Sequence, residues 1–217
     1  IDEDLTLVER VKRYCQSAVS VQRLVHVQEL GACAEAIGTL ETMRELVPLL
    51  RPVSCDPELS VRQALAEELV QLAKVLLAEP ETSCELEDGE QLTAFEVVIS
   101  RCVPLLSGLL TSSGAQDINP NGGTQVLESA SEALIGMAGL LHPDAVGHTV
   151  LTAVLCLAHD NDAEENRVVA TQLLGSLAPV VTSELCCQGR WVAPFPPLSC
   201  RDCNWHSQST KKFVLPE

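Results

Sequence analysis

The amino-acid sequence predicts an all-α fold, an α-solenoid of about four antiparallel helix pairs followed by an irregular C-terminal tail. Hydrophobic residues make up 46% of the 217 residues but aromatic residues only 3%, and a core of Leu, Val and Ala suits close helix–helix packing. Apolar residues recur at helical spacing. A short apolar pattern also recurs about every 40 residues, which is the period of helix-pair repeats.

The recurring pattern is a leucine followed three residues later by an apolar residue and then by alanine. It begins at Leu30, Leu69, Leu134 and Leu174, with separations of 39, 65 and 40 residues. The middle separation is longer by about 25 residues than the usual helix-pair period. Two polar stretches lie within it, residues 79–91 and 112–123, and we expect both to be mobile inserted loops.

The helices of each repeat follow from the apolar spacing and from the turn residues between them. The predicted repeats are residues 4–36, 39–78, 92–141 and 145–181. The predicted helices are 4–15 and 20–36, 39–51 and 58–78, 92–111 and 124–141, 145–159 and 163–181. Residues 1–185 would then form the solenoid and residues 186–217 the irregular tail.

Two prolines lie inside predicted first helices, Pro48 in the second repeat and Pro104 in the third. A proline in a helix removes one backbone hydrogen bond and bends the axis. We therefore expect both helices to be bent, which would let consecutive pairs stack with curvature.

The stretch 46–76 resembles the HEAT repeat. That family has a proline in the first helix, aspartate in the turn, and valine and arginine opening the second helix; the matching residues here are Pro48, Asp56, Val61 and Arg62. The first and fourth repeats lack the proline, and the third has Leu127 and Glu128 where arginine is expected. The resemblance covers residues 4 to about 185, and it implies an armadillo-like helical array.

Two longer runs, "LTLVERVKRYCQSAVSVQRLVHVQEL" and "LCLAHDNDAEENRVVATQLLGSLAPVV", resemble HEAT-repeat regulatory subunits of serine/threonine protein phosphatase 4. This resemblance implies a non-catalytic protein that binds the phosphatase catalytic subunit and directs its activity. In the related phosphatase 2A scaffolds, the ridge of turns between paired helices contacts the catalytic subunit. By that analogy the candidate partner-binding residues are Asp56, Glu58, Asp160, Asp162, Glu164 and Glu165.

The charge of the chain is strongly acidic. Its formal net charge is −16, and from Gln63 to Asn166 the basic residues are Lys74 and Arg101 against seventeen acidic ones. Such a surface repels nucleic acid and favours a basic partner. An importin-type nuclear transport receptor that binds basic cargo is the alternative. It predicts acidic residues along the second helices, whereas many acidic residues here lie in segments 79–91 and 160–165.

No catalytic motif is recognisable, so we expect no enzyme activity, no cofactor and no metal site. The chain has no Gly-x-Ser-x-Gly, no phosphate-binding glycine loop and no His-Glu-x-x-His. The Cys-x-x-Cys at Cys200 and Cys203 lacks a second well-spaced pair.

Arg62 and Arg167 are expected to reach acidic turn residues of the adjacent repeat.

Cysteine usage predicts a reducing compartment. Ten cysteines show no disulfide framework, and Cys15, Cys33, Cys102 and Cys156 fall in apolar helical patterns. There is no glycosylation sequon, no secretory signal at the start, and no uncharged apolar run of membrane-spanning length. We therefore expect a cytoplasmic or nuclear protein without a membrane partner. Since the chain begins with isoleucine, we also expect it to be a fragment of a longer one.

Overall fold

The computed structural model describes residues 4–86, 89–112, 120–159 and 164–179, which are mostly helical. This confirms the all-α prediction for these residues, whereas the predicted tail 186–217 lies outside them. The helices are α1 (Leu7–Tyr14), α2 (Ser20–Val27), α3 (Leu30–Glu41), α4 (Val47–Ser54), α5 (Leu59–Ala78), α6 (Ala94–Val97), α7 (Val103–Ser112), α8 (Pro120–Ala138), α9 (Pro143–Ala145), α10 (Leu151–Ala158) and α11 (Glu164–Leu177). The strands are β1 (Ser83–Glu85) and β2 (Gln91–Thr93), and the π-helical segments are Thr42–Leu46, Val98–Cys102 and Val146–Val150.

Helices that follow one another in sequence pack side by side. Helix α1 packs on α2, α4 on α5, α7 on α8 and α10 on α11. Helix α5 also lies between α3 and α8, and α8 reaches α11; on the other side α4 contacts α7 and α7 contacts α10. A continuous apolar core runs through these contacts, with fully buried leucines at Leu30, Leu69, Leu106 and Leu134.

Helix ends coincide with local sequence signals. Thr6 and Glu9 form a reciprocal capping box at the start of α1, and Thr93 and Glu96 form another at the start of α6. Pro143 occupies the first position of α9, where its missing N–H has no helical partner to lose.

The predicted helix 20–36 is two helices, because Gln28 and Glu29 form a turn between α2 and α3, in which the Glu29 N–H donates to the His26 carbonyl three residues earlier. The predicted gap before residue 39 corresponds to Gly38, whose φ of 78° and ψ of 177° interrupt α3. Glycine adopts this conformation without the steric cost that a side chain would add.

The predicted loop 79–91 contains most of an antiparallel hairpin, so the prediction of an unstructured insertion was wrong there. Strand β1 alternates exposed and buried residues, and Cys84 and Leu86 are buried. Gly89 has a φ of 81° in the turn. In the second predicted loop, 112–123, α8 already begins at Pro120, while residues 113–119 lie outside the described part of the chain.

Pro48 and Pro104 lie beside an irregular helical turn that occurs three times in the described part of the chain. Pro48 and Pro104 are each the second residue after a π-helical segment, and Thr152 holds the same place after the third. At each place the residue before it donates its N–H to the carbonyl five residues earlier: Val47 to Thr42, Val103 to Val98 and Leu151 to Val146. The helical irregularity therefore occurs with or without proline.

The window Ala94–Thr111 has a mean hydropathy of 1.5 over 18 residues, so by length and composition it could cross a membrane. Half of it is buried inside the protein. Val97, Val98, Cys102 and Leu106 are fully buried there, so burial in the core accounts for much of its apolar character.

Candidate protein-binding surface

Asp56 lies in the turn between α4 and α5 and is almost fully buried, 6% exposed. Its Oδ1 accepts a hydrogen bond from the Glu58 backbone N–H at 2.9 Å, which fixes the start of α5. Its two oxygens also accept from Arg23 of α2, at 2.6 Å from Nε to Oδ2 and 2.8 Å from Nη2 to Oδ1. The third Arg23 nitrogen, Nη1, donates to the Ser17 carbonyl at 2.9 Å.

The electrostatics of this pair favour the ionised forms. Burial alone would raise the pKa of Asp56, but the hydrogen bonds from Arg23 and the Glu58 amide, with the charges of Arg23 and Arg62, hold that pKa below its usual value. The hydrogen bond to Asp56 is the main cause of the raised pKa of Arg23. A bidentate ion pair therefore joins α2 to the turn before α5.

Asp56 consequently has an intramolecular role, and its oxygens are not presented to a partner. Of the other predicted contact residues, Glu58 is exposed beside it and Glu164 is exposed at the first position of α11. Asp160 and Asp162 lie outside the described residues, as does the side chain of Glu165. The prediction for these three, and for Glu58 and Glu164, stays a prediction.

The arginine that reaches the Asp56 turn is Arg23, which sequence reasoning missed. The 39-residue spacing between Leu30 and Leu69 places Arg23 in register with Arg62. Applying that register to the arginine would have identified it. Arg23 thus makes a contact of the kind expected for Arg62 and Arg167, whose own contacts with acidic turns stay predictions.

Three of the second helices, α3, α5 and α8, carry five glutamates between them on one surface. The second-helix face comprises Glu35 of α3, Glu67 and Glu68 of α5, and Glu128 and Glu132 of α8. All are exposed except the half-buried Glu68. Hydrogen bonds cross between the helices on this face: Gln71 donates to Glu35, and Ser129 donates to Glu67 at 3.2 Å.

Glu68 joins α5 to the start of α3. Its Oε2 accepts the backbone N–H of Gly31 at 2.9 Å, one of the amides that a helix start leaves unpaired. Burial raises the pKa of Glu68, the Gly31 hydrogen bond opposes that rise, and the charge of Glu67 adds to it. A methyl group on Gly31 would lie 2.6 Å from this carboxylate oxygen, so the glycine permits the close approach of the two helices.

An open depression of about 640 Å³ lies between α1 and the region around the first π-helical segment. Lys12 and Glu45 form an ion pair in its lining. The lining residues are Thr6, Val8, Glu9, Lys12, Arg13, Ile37, Glu41 and Glu45. Within this set the Thr6 hydroxyl donates to Glu9 at 2.8 Å, as part of the capping box that begins α1.

The described cysteines are mostly core residues, as the sequence predicts. Cys15, Cys33, Cys84 and Cys102 are buried, whereas Cys156 is half-buried and Cys55 is exposed. Burial raises the pKa of Cys102 to about 12, and burial is the main cause of the rise to about 12 at Cys15. Thiols of this kind are poor nucleophiles. Within the ranges that the structure describes, no three His, Cys, Asp or Glu residues form a group that could hold a metal ion.

No family model matches this chain, and no curated protein matches it either.

Proposed function

We propose that this chain is a HEAT-type α-solenoid scaffold that binds the catalytic subunit of a type 4 serine/threonine protein phosphatase and directs its activity without catalysing a reaction itself. The sequence resemblance, to regulatory subunit 1 of protein phosphatase 4, is the source of the phosphatase assignment. The observation that carries the scaffold part is the Arg23–Asp56 pair, which joins one helix pair to the turn of the next. That turn aspartate is the one the HEAT pattern requires.

Two further features support a repeat array. The three π-helical segments of the described residues lie in three first helices, and they begin six residues before Pro48, Pro104 and Thr152. The second helices α3, α5, α8 and α11 pack in that order. In an array of this kind each unit needs mainly its neighbours' faces for stability, and the surface is left for partners.

The proposed contact surface is the row of turns at which second helices begin. Glu58 and Glu164 are its described members, and Asp160, Asp162 and Glu165 belong to it by sequence. Exposed carboxylates at the turns would meet a basic area of the catalytic subunit, which would raise the association rate and set the orientation. Asp56 supports this surface by fixing the turn, because its own oxygens bind Arg23 and the Glu58 amide.

The second candidate function is a transport receptor for basic cargo, and the second-helix face favours it. Four of the five glutamates on that face are exposed. Many acidic residues lie in segments 79–91 and 160–165, but these exposed glutamates lie on second helices, as the transport alternative predicts. The two functions use different surfaces, and charge reversal separates them.

The experiment compares two matched variants of the full chain, one with Glu58→Lys and Glu164→Lys, the other with Glu128→Lys and Glu132→Lys. Each changes the net charge equally. Binding to the purified phosphatase 4 catalytic subunit and to a basic cargo peptide is measured at low and moderate salt. The scaffold proposal expects the turn variant to lose phosphatase affinity by about tenfold or more, with the face variant close to the unmodified chain.

Three results decide against parts of the proposal. Phosphatase binding that withstands the turn variant would keep the function and reject the turn surface. Binding of the cargo peptide by the unmodified chain, with loss of that binding only in the face variant, would favour the transport function. No binding of the catalytic subunit by the unmodified chain would reject the phosphatase assignment.

A further inference from the structure

The hairpin between α5 and α6 leaves one edge of β1 without a neighbouring strand among the described residues. Its pairs are Ser83 with Thr93, Cys84 with Leu92 and Glu85 with Gln91. The hydrogen bonds that flank this ladder are Ala94 N–H to the Thr82 carbonyl at 2.8 Å and Leu86 N–H to the Glu90 carbonyl at 2.9 Å.

Antiparallel pairing alternates, so the backbone groups of Thr82, Cys84 and Leu86 face β2. Those of Ser83 and Glu85 therefore point away from β2, and both residues are exposed. On the opposite edge, the Thr93 N–H is already used, since it donates to Glu96 in the capping box at 2.8 Å. The β1 edge thus offers two N–H and two C=O groups in the spacing that an added strand needs.

The two faces of β1 differ in chemistry. Cys84 and Leu86 are buried on the inner face, and β1 lies against the π-helical segment Thr42–Leu46. Glu85 is exposed on the outer face. A strand added to this edge would place alternate side chains beside the apolar inner face and beside Glu85.

The charge around the hairpin defines the occupant. Segment 79–91 contains six acidic residues and no basic one. Arg101 pairs with Glu90 at 2.7 Å, and Arg44 with Glu41 at 3.4 Å. No ion pair in the described part of the chain involves Glu79, Glu81 or Glu85. The uncompensated charge beside the β1 edge is therefore negative.

We propose that the exposed edge of β1 is a docking site for an extended basic segment of a partner protein, which adds as an antiparallel third strand. Its basic residues lie beside Glu85 on the outer face, and its alternating apolar residues lie over the inner face beside Cys84 and Leu86. Main-chain hydrogen bonds to Ser83 and Glu85 supply the register, and the glutamates select a basic sequence. This site is separate from the turns of the proposed phosphatase surface and does not depend on that function.

The test uses the full chain and a fluorescein-labelled peptide of alternating lysine and valine, about eight residues long, with anisotropy as the readout. A peptide with glutamate in place of lysine is the charge control. We expect saturable binding of the lysine peptide that weakens as salt rises, and no binding of the glutamate peptide. Absence of lysine-peptide binding at low salt would overturn the proposal.

Backbone variants separate strand addition from simple charge attraction. Methylation of the peptide nitrogens at the lysines, which would face β1, should weaken binding about tenfold or more, whereas methylation at the valines should have little effect. These probes leave the protein unaltered. If both methylated peptides bind like the parent peptide, the contact is only electrostatic and edge pairing is rejected.

Matched protein variants complete the test. Ser83→Pro removes an outward N–H of β1, and Gln91→Pro removes an outward N–H of β2 on the opposite edge. We expect Ser83→Pro to weaken peptide binding about tenfold and Gln91→Pro to leave it unchanged. Hydrogen exchange at Leu86, whose N–H binds Glu90 within the hairpin, verifies that each variant keeps the hairpin. Equal effects of the two variants, with the hairpin retained, would contradict binding at the β1 edge.

Discussion

Arg23 and Asp56 form a bidentate ion pair between α2 and the turn before α5. The two residues are 33 positions apart in sequence, and their side chains are mostly removed from water. The carboxylate also holds the Glu58 amide. A buried pair of this kind contributes to stability mainly through what its removal leaves behind, an unpaired charge in a poorly solvated place. The pair therefore makes the packing of α2 sensitive to a single side chain.

Asp56→Ala should lower the free energy of unfolding by about 3 kcal/mol, because Arg23 loses its partner and the Glu58 amide loses its acceptor. Urea unfolding followed by circular dichroism measures this. Glu58→Gln, an exposed change two residues away, is the control and should change the free energy of unfolding by no more than about 0.5 kcal/mol. The double variant Arg23→Gln with Asp56→Asn should lose less free energy of unfolding than Arg23→Gln and Asp56→Asn lose separately, taken together. Additive effects would show that the pair is not coupled.

Asp56 should make the chain less stable in acid. Its folded-state pKa is lowered, so its contribution is fully present above its unfolded pKa of about 4 and is lost as the pH falls through the folded value. Thermal unfolding across pH 2 to 6 is expected to show this loss, and Asp56→Asn should flatten the profile. A profile that is unchanged by Asp56→Asn would contradict the assignment.

Glu68 should act in the opposite direction. Burial raises its folded-state pKa, so its contribution is fully present below its unfolded pKa, about 4.3, and is lost as the pH rises through the folded value. Glu68→Gln keeps an acceptor for the Gly31 N–H and removes the charge. We expect the midpoint of thermal unfolding of this variant to gain on the unmodified chain between pH 4 and 7. A constant difference across this range would mean that Glu68 does not titrate there.

Gly31→Ala should destabilise the contact between α3 and α5. The added methyl group would lie 2.6 Å from the Glu68 carboxylate and 2.9 Å from Cγ of Gln71, and we expect a cost of about 1–3 kcal/mol. Gly136→Ala in α8 is the matched control, since its methyl group would lie 3.5 Å from Val70, an ordinary contact. Higher helix propensity should make that control neutral or stabilising by up to about 1 kcal/mol. Both free energies of unfolding are measured by chemical denaturation. If Gly31→Ala and Gly136→Ala change them equally, the close approach of α3 and α5 at Gly31 is rejected.

Thr152→Pro tests whether the π-helical turn accepts proline wherever it occurs. Thr152 holds the place of Pro48 and Pro104, and its hydroxyl donates to the His148 carbonyl at 2.9 Å. Thr171, in the regular helix α11, makes the same local bond to the Arg167 carbonyl at 2.9 Å. We expect Thr171→Pro to cost about 3 kcal/mol or more and Thr152→Pro clearly less. Chemical denaturation measures both costs. If they are similar, the π-helical turn tolerates proline no better than a regular helix does.

Sequence patterns identified the helices well where apolar spacing was long and regular. Helix α5 ends at Ala78 as predicted and begins at Leu59, one residue from the predicted start, because its apolar stripe continues for twenty residues without a break. The hairpin was missed because each strand has only three residues among acidic neighbours, and its pairing depends on segments that the chain brings together.

For the candidate binding surface too, some features follow from the sequence and others from the tertiary structure. The sequence by itself determined the helical class, the acidic charge and the aspartate in the turn, since these follow from composition and local spacing. Only the tertiary structure decided that Asp56 binds Arg23, that Glu68 reaches Gly31, and that the β1 edge is exposed. These depend on residues far apart in sequence, whose meeting is set by how whole helices pack rather than by any local preference.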